Sequence, residues 1–351
     1  MDQQLSDKRL ISIVVPVYNE KESLEALLGE IRTVAKSQQW RVEIIFVDDG
    51  SSDGSWEAIK TLAQANTPVG GIRFRVNAGK AAALMAGFAA AQGDVVFMMD
   101  ADLQDPPEEM PRLLEQLDAG VKAGETGGEA GKVGGADMVS GWKKIRHDPW
   151  HKVYPSRAFN WLIGALTGVE LHDHVCGFKC FRRPVVSDLK LYGEFHRFIG
   201  VLAASNGYRV TEIPTTHRPR TTGISKYGFA RFAKGFLDLL TVVTLTRFRW
   251  RPQHLIGVAG LWLSAIWGLL LVIHRCTPGF LSVISPVGLL LSLLSVLTPG
   301  VMLVAIGLVA QLIVDQRPAH EQYIIAERVG WCATTTTLAT TADKVESQNK
   351  P

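Results

Sequence analysis

The amino-acid sequence predicts an α/β fold with a mostly parallel sheet, followed by a hydrophobic segment that crosses a membrane. Apolar, β-branched runs alternate with helical patterns through residues 10–99, which is typical of parallel β-α-β units. Acidic residues follow several of these runs, as ligand-binding residues do at the carboxyl ends of strands in such sheets. Residues 255–273 are uncharged and long enough to span the roughly 30 Å hydrocarbon core of a bilayer.

The alternation is clearest in the first hundred residues. Strands are predicted where apolar residues run together, and helices where apolar residues recur with a period near 3.6. After residue 99 the signal weakens, and one further strand and one further helix are predicted. The predicted strands are residues 10–17, 42–47, 71–75, 94–99 and 137–142, and the predicted helices are residues 22–35, 56–65, 80–92 and 156–166.

Composition and cysteine placement exclude several classes of protein. A formal net charge of +3 over 351 residues is too small to indicate a nucleic-acid partner. Among the four cysteines only Cys176 and Cys180 lie close together, and without a second pair they do not make a zinc site. The N-terminal residues lack the features of a secretory signal, so we expect the first half of the chain in the cytosol, with reduced thiols.

Changes of composition divide the chain into four parts. Residues 119–136 are rich in Gly, Lys and Glu, and we expect a mobile surface insertion there that takes no part in the chemistry. Residues 276–314 are uncharged and interrupted by three prolines, which indicates an outer loop and a second span. The predicted parts are a catalytic domain (1–225), an amphipathic interface region (226–253), a two-span membrane domain (254–315) and a largely disordered tail (316–351).

Charges beside the first span predict its orientation. Arg247, Arg249 and Arg251 precede the span, whereas only His274 and Arg275 follow it. Because basic residues favour the cytoplasmic side, we expect the catalytic domain in the cytoplasm, with a second span returning the tail to the same side. A buried helix of a soluble protein is the alternative, and the length of the uncharged run disfavours it.

Two carboxylates separated by one small residue stand at the end of a predicted strand, in the stretch VVFMMDADLQDPP. Asp100 and Asp102 can face one point through the local turn, and hard oxygen ligands of this kind suit Mg²⁺ or Mn²⁺. Such a cation keeps waters and binds substrate phosphates rather than filling a complete protein cage. Solvated turn residues, or a helix cap ahead of PPEEM, are the alternative interpretation.

Four motifs, in order and spacing, resemble the nucleotide-sugar-binding domain of family-2 glycosyltransferases, which has the GT-A fold. They are VPVYNE, VDDGSSDGS, NAGKAAALMAG and DADLQDPP. DHVCGFKCFRR and HRPRTTGISKYG, followed by two spans, resemble the polyisoprenyl-phosphate glycosyltransferases, the group of dolichol-phosphate mannose synthase and bacterial undecaprenyl-phosphate sugar transferases. The resemblance covers about residues 10–314. It implies inverting transfer of a sugar from a nucleotide-diphosphate sugar to a polyprenyl phosphate.

The resemblance also implies roles for single residues. Asp100 and Asp102 would hold the metal at the donor diphosphate, assisted by Gln104. Asp173 stands where the family has a candidate base, although a phosphate monoester with a second pKa of about 6 hardly needs deprotonation, so an orienting role is equally open. We expect the donor to be bound by Pro16, Tyr18, Glu20, Asp48, Asp49, Lys80 and Asp100, the acceptor phosphate by Arg218, Arg220, Ser225 and Lys226, and catalysis to depend on Asp102, Asp173 and Arg220.

Three alternatives to this function remain open at the level of sequence. The basic residues Arg218, Arg220 and Lys226 could merely meet anionic lipid headgroups. A membrane polysaccharide synthase would share the donor domain but carries a Q-x-x-R-W motif, and here Thr246 replaces the Gln of that motif. A catalytically silent membrane scaffold is disfavoured by the intact acidic and basic motifs. The expected location is a bacterial inner membrane, and the sequence leaves a homo-oligomer open.

Overall fold

The structure is a computed structural model that describes residues 9–124, 135–144, 150–218, 230–247 and 323–330, with single residues between 262 and 313. Contacts divide the chain into two compact units, Met1–Tyr227 with Pro318–Pro351, and Gly228–Arg317. The candidate site lies in the first unit, which contains the sheet.

Eight strands of the described residues form one sheet. Their bounds are β1 Leu10–Val17, β2 Arg41–Asp48, β3 Val69–Phe74, β4 Val95–Met98, β5 Met138–Lys143, β6 Lys179–Arg182, β7 Val210–Thr215 and β8 Ile325–Gly330. The spatial order is β7-β5-β6-β4-β1-β2-β3-β8. β1 pairs parallel with β2 and β4, β2 with β3, and β5 with β7, whereas β6 and β8 run antiparallel to their neighbours. The prediction of an α/β fold with a mostly parallel sheet is confirmed.

Several helices of the first unit pack on this sheet and bury apolar side chains against it. The helix bounds are α1 Leu24–Ser37, α2 Ser55–Ala65, α3 Lys80–Ala90, α4 Met110–Gly124, α5 Trp150–Thr167, α6 Arg183–Asp188, α7 Ile199–Ser205 and α8 Ala230–Arg247, with 3₁₀ turns at Pro107–Glu109 and Phe195–Phe198. α8 belongs to the second unit. α3 is rich in Ala because it packs closely on β1, and a Cβ at Gly87 would collide with Val14. This close packing holds α3, which begins at Lys80, against β1.

Two predictions for the surface segments need correction. α4 continues to Gly124, so the predicted insertion at 119–136 begins as helix, and residues 125–134 lie outside the described part. The tail was expected to be largely disordered, but Ile325–Gly330 form β8 at the edge of the sheet, antiparallel to β3. A six-residue strand with half its side chains exposed leaves little apolar pattern in a sequence, which is why the sequence did not predict it.

The two predicted membrane spans fall almost entirely on residues that the structure does not describe. Within the described ranges, none of the helices combines the length and the apolar character that a membrane crossing requires. The single residues that are described in this stretch are helical, and several expose large apolar side chains. These exposed residues are Trp262, Leu269, Val272, Leu294, Met302, Ile306, Val309 and Ile313.

Candidate active site

The loops that follow β1 and β2 meet at the carboxyl edge of the sheet. Val17 and Asp48 are register partners at the ends of these two parallel strands, so the following residues lie side by side. Asn19 adopts a left-handed backbone (φ 56°), and its Oδ1 accepts a hydrogen bond from the Ser52 N–H at 2.9 Å. In return the Asn19 N–H donates to Ser51 Oγ at 3.0 Å. These bonds join the VPVYNE and VDDGSSDGS motifs into one wall.

Asp49 binds the loop that leads into α3. Its carboxylate accepts hydrogen bonds from the Ala78 N–H at 2.7 Å and the Gly79 N–H at 3.0 Å. Burial raises the pKa of Asp49 from its ordinary value, and the two backbone amides offset only part of this rise. Asp49 therefore connects the second motif to NAGKAAALMAG.

Asp48 is fully buried beside it. Its Oδ1 accepts a hydrogen bond from the Ser51 N–H at 3.0 Å, and its Oδ2 lies 3.5 Å from Arg73 Nε. Asp48 and Asp49 thus hold loop backbone and a strand side chain in place instead of facing solvent. Their contact with a nucleoside stays a prediction. In the structure both residues hold the loops at this edge of the sheet together.

The three other predicted donor residues on the first loop differ in accessibility. The Tyr18 side chain is 52% exposed, whereas Pro16 and Glu20 are partly buried. The Glu20 N–H donates to Ser55 Oγ at 3.2 Å, which anchors the loop to the start of α2. Tyr18 is therefore the most exposed of these three residues.

Asp100, the first residue of the D-x-D pair, is paired with a lysine. Lys80 Nζ lies 2.5 Å from Asp100 Oδ1. Burial alone would raise the pKa of Asp100, but Lys80, Lys143 and His196 together outweigh burial and hold it below its ordinary value. An ideal Cβ at Gly177 would lie only 2.5 Å from Asp100 Oδ2, so the carboxylate packs directly against a glycine backbone. Asp100 is thus an ionised carboxylate in a closely fitted position.

Asp102 lies in a turn that holds an unusual backbone conformation. The Gln104 N–H donates to Asp102 Oδ1 at 3.2 Å, and Leu103 between them has φ 60°, in the left-handed region. A branched residue in this region is strained, and such strain persists where surrounding contacts enforce it. Leu103 packs against the hydrophobic core, which supplies those contacts.

A buried carboxylate that the sequence analysis did not assign to the site connects three of its loops. Asp105 Oδ1 lies 3.3 Å from Lys143 Nζ at the end of β5 and 3.2 Å from His217 Nδ1. Burial alone would lower the pKa of Lys143, but Cys176 and then Asp105, Asp100 and Asp173 raise it above its ordinary value. Lys143 therefore stays protonated among three aspartates.

Asp173 is also buried, on a loop that a buried lysine organises. Lys179 Nζ donates to the Cys176 carbonyl at 2.6 Å, to Ser140 Oγ at 3.0 Å and to the His174 carbonyl at 3.4 Å. Burial lowers the pKa of Lys179 from its ordinary value. Burial, followed by the Lys179 charge, lowers the pKa of His174 to about 4, so this imidazole is neutral at pH 7.

Replacing Lys179 with Met should destabilise the catalytic unit. The change leaves two carbonyls and a hydroxyl without their buried donor, so we expect the free energy of unfolding to fall by about 2 to 4 kcal/mol. Urea unfolding of both proteins measures the loss, and Lys190→Met, on an exposed lysine, is the matched control. Equal midpoints for Lys179→Met and the unmodified protein would contradict this role.

The predicted acceptor residue Arg218 is engaged by carboxylates, and its contact with the acceptor phosphate stays a prediction. Its guanidinium binds Glu30 at 2.8 and 2.9 Å and lies 3.6 Å from Glu108. Its N–H donates to the Gln104 carbonyl at 2.8 Å, directly after the D-x-D turn. Arg218 thus anchors the start of the basic motif. The other predicted acceptor residues, Arg220, Ser225 and Lys226, lie outside the described residues.

The donor set at the D-x-D turn fits a hard divalent cation that a substrate helps to coordinate. Among the described residues, no group of three or more His, Cys, Asp or Glu side chains could hold a metal ion. Asp100 and Asp102 supply carboxylate oxygens, which suit Mg²⁺ or Mn²⁺ when waters and phosphate oxygens fill the remaining positions. The residues present therefore fit a metal that binds together with a diphosphate.

Comparison with known proteins gives a match to a family model and several similar relatives. Residues 12–189 match the model described as Glycosyl transferase family 2. The chain is 36% identical over 275 residues to a dodecaprenyl-phosphate galacturonate synthase of Rhizobium johnstonii, covering 75% of each chain. It is 34% identical over 278 residues to an undecaprenyl-phosphate 4-deoxy-4-formamido-L-arabinose transferase of Aeromonas hydrophila, covering 78% of this chain and 79% of the relative.

Solved structures are similar at lower sequence identity. A mannosyltransferase from Pyrobaculum calidifontis, in complex with GDP-Man and Mn²⁺, is 17% identical with a TM-score of 0.48. The similarity covers 88% of this chain and 87% of that one.

Proposed function

The chain belongs to glycosyl transferase family 2, and within this family we propose that it moves a sugar from a nucleoside-diphosphate donor to a polyprenyl phosphate, with inversion at the anomeric carbon. One observation carries this proposal: at the sheet edge where the donor motifs meet, Asp100 of the D-x-D turn pairs with Lys80 at 2.5 Å, and Asp105 pairs with Lys143 at 3.3 Å. The names of both relatives contain a prenyl phosphate, which supports this class of acceptor.

The donor side of the reaction requires positive charge where the nucleoside diphosphate leaves. A divalent cation held by Asp100 and Asp102, with Gln104 assisting, would supply Lewis-acid stabilisation of the charge that develops on the β-phosphate. Lys80 adds a positive charge beside Asp100. The loops joined by Asn19 and by Asp49 form the wall against which the nucleoside is expected to bind.

The acceptor side requires an anion to approach a donor of like charge. The phosphate of a prenyl phosphate is largely ionised at neutral pH, because its second pKa is about 6. Its oxygen can therefore attack the anomeric carbon directly, without a covalent enzyme intermediate. Asp173 then helps to keep Lys143 protonated at least as much as it accepts a proton. Arg220 and Lys226 are the proposed partners of the phosphate.

We propose that the chain is an integral membrane protein with its catalytic unit in the cytoplasm. β7 before the hydrophobic stretch and β8 after it belong to one sheet, so the intervening chain must cross a membrane an even number of times or not at all. Two predicted spans satisfy this condition. Met302, Ile306, Val309 and Ile313 recur at helical spacing and expose apolar side chains, as a lipid-facing helix does.

Labelled donors test the proposed function. Membranes that contain the protein are incubated with a panel of radiolabelled nucleotide sugars, and lipids are extracted before and after mild acid. We expect label from one donor in an acid-labile lipid, and none in membranes without the protein. Label that enters only a long polysaccharide would instead support a polysaccharide synthase.

Replacing Arg220 with Ala should weaken use of the acceptor specifically. Loss of a charge-assisted contact costs about 1.5 to 3 kcal/mol, so the KM for a short prenyl phosphate should rise roughly ten- to a hundredfold. Steady-state transfer in detergent without anionic lipid measures this effect, and calorimetric titration of the nucleotide sugar should show unchanged donor binding. Arg231→Ala, in the same basic stretch, is the control for contacts with lipid headgroups, which fade as salt rises. An equal loss of donor binding in Arg220→Ala would move Arg220 to the diphosphate.

A further inference from the structure

The contact between Lys80 and Asp100 has a consequence for how the metal ion and the donor bind. We infer that Lys80 occupies the carboxylate oxygen that the cation needs and transfers to the diphosphate when the donor arrives, so that metal and donor bind together. This inference rests on the proposed function, because it takes the D-x-D turn as the site of the metal and the diphosphate.

The first step of the argument is that Lys80 is fixed on this oxygen. It is the first residue of α3, and the preceding Gly79 N–H is bound by Asp49. From this anchored position Lys80 Nζ reaches Asp100 Oδ1 at 2.5 Å. The two side chains are 29% and 31% exposed, so a ligand can reach the pair from solvent.

The second step is that both oxygens of the Asp100 carboxylate have close neighbours. Its Oδ2 lies against Gly177, where even a Cβ would come within 2.5 Å. An ammonium group and a divalent cation repel each other, so Lys80 on Oδ1 opposes coordination of a cation by the same carboxylate. Coordination of a cation by Asp100 is therefore more favourable when Lys80 moves away from Oδ1.

The third step concerns where the lysine goes. Displacing Lys80 with a bare cation separates its ammonium group from the carboxylate that it pairs with, which is unfavourable in a partly buried site. A nucleoside diphosphate brings phosphate oxygens that can accept the ammonium group. Lys80 therefore opposes binding of the metal alone and favours binding of the metal with a diphosphate, and the two effects have opposite signs.

The opposite signs give a test that does not depend on activity. Binding of Mn²⁺ alone is measured by electron paramagnetic resonance for the unmodified protein, for Lys80→Met, which keeps the length without the charge, and for Lys80→Arg, which keeps the charge. Coupling between sites is typically 5- to 150-fold, so we expect Lys80→Met to bind Mn²⁺ roughly tenfold more tightly or better. Lys80→Arg should stay near the unmodified protein. An affinity of Lys80→Met equal to or below that of the unmodified protein would overturn the inference.

The second measurement is made at saturating Mn²⁺ with UDP and GDP in parallel. The nucleoside diphosphate that binds the unmodified protein should bind Lys80→Met roughly tenfold more weakly. Unchanged nucleotide affinity would show that Lys80 does not receive the diphosphate. Neither titration includes a prenyl phosphate. If both titrations gave the expected results but no sugar reached a prenyl phosphate, the proposed acceptor would be wrong and the inference about Lys80 would stand.

Discussion

Replacing Asp102 with Asn is expected to lower kcat for sugar transfer about 10²- to 10³-fold, a loss typical of removing one group that stabilises charge in a transition state. Asn has nearly the same size and its Oδ1 can still accept the hydrogen bond from the Gln104 N–H, so the strained turn at Leu103 should persist. The lost charge weakens the hold on the cation without altering the fold. Initial rates at saturating donor, acceptor and Mg²⁺ or Mn²⁺ measure the change.

Asp94→Asn is the matched control, because Asp94 is an exposed carboxylate just before β4, at the opposite end of the strand. This variant should keep the rate of the unmodified protein. If the Asp102→Asn protein in excess EDTA turned over substrate at nearly the rate of the unmodified protein with Mg²⁺ or Mn²⁺, Asp102 would not hold a metal.

Replacing Gly177 with Ala should have an effect of similar size for a steric reason. The new Cβ would lie 2.5 Å from Oδ2 and 2.8 Å from Cγ of Asp100, so the carboxylate must move. A displacement of about 1 Å in a catalytic group can lower the rate roughly a hundredfold. Overpacking also costs about 1 to 3 kcal/mol of stability, which urea unfolding can measure separately from the rate.

Gly29→Ala provides the comparison, because a Cβ at this position in α1 has no neighbour within 4 Å. Ala in a helix interior is about 0.5 to 1 kcal/mol more favourable than Gly, so this variant should be slightly more stable and fully active. A Gly177→Ala protein that is folded and as active as Gly29→Ala would mean that the position of Asp100 is not critical.

The first half of the fold could be predicted because its elements carry strong local patterns. β1, β2 and β4 are nearly continuous apolar runs, as strands covered by helices on both faces must be. The D-x-D turn could be placed at the sheet edge for the same reason. β6, β7 and β8 were not predicted, because charged and polar residues interrupt their short apolar pattern.

The partners of the site residues could not be read from the sequence, because they join distant segments. Arg218 resembles a free cation in a basic motif, yet Glu30 from α1 neutralises it across 188 positions. Lys143 follows an ordinary strand pattern, and its role becomes visible only when Asp105 is seen 3.3 Å away. Charged residues in a motif indicate a site that binds a ligand. The fold determines which residue each of these charges pairs with.

The most direct test of the central claim is transfer of a radiolabelled sugar by the purified protein to a prenyl phosphate, with the same prenol lacking its phosphate as the alternative acceptor. The account predicts label in the prenyl phosphate alone, in a product of inverted anomeric configuration, and its loss in Asp102→Asn. Equal labelling of the prenol, or a product that retains the configuration of the donor, would contradict it.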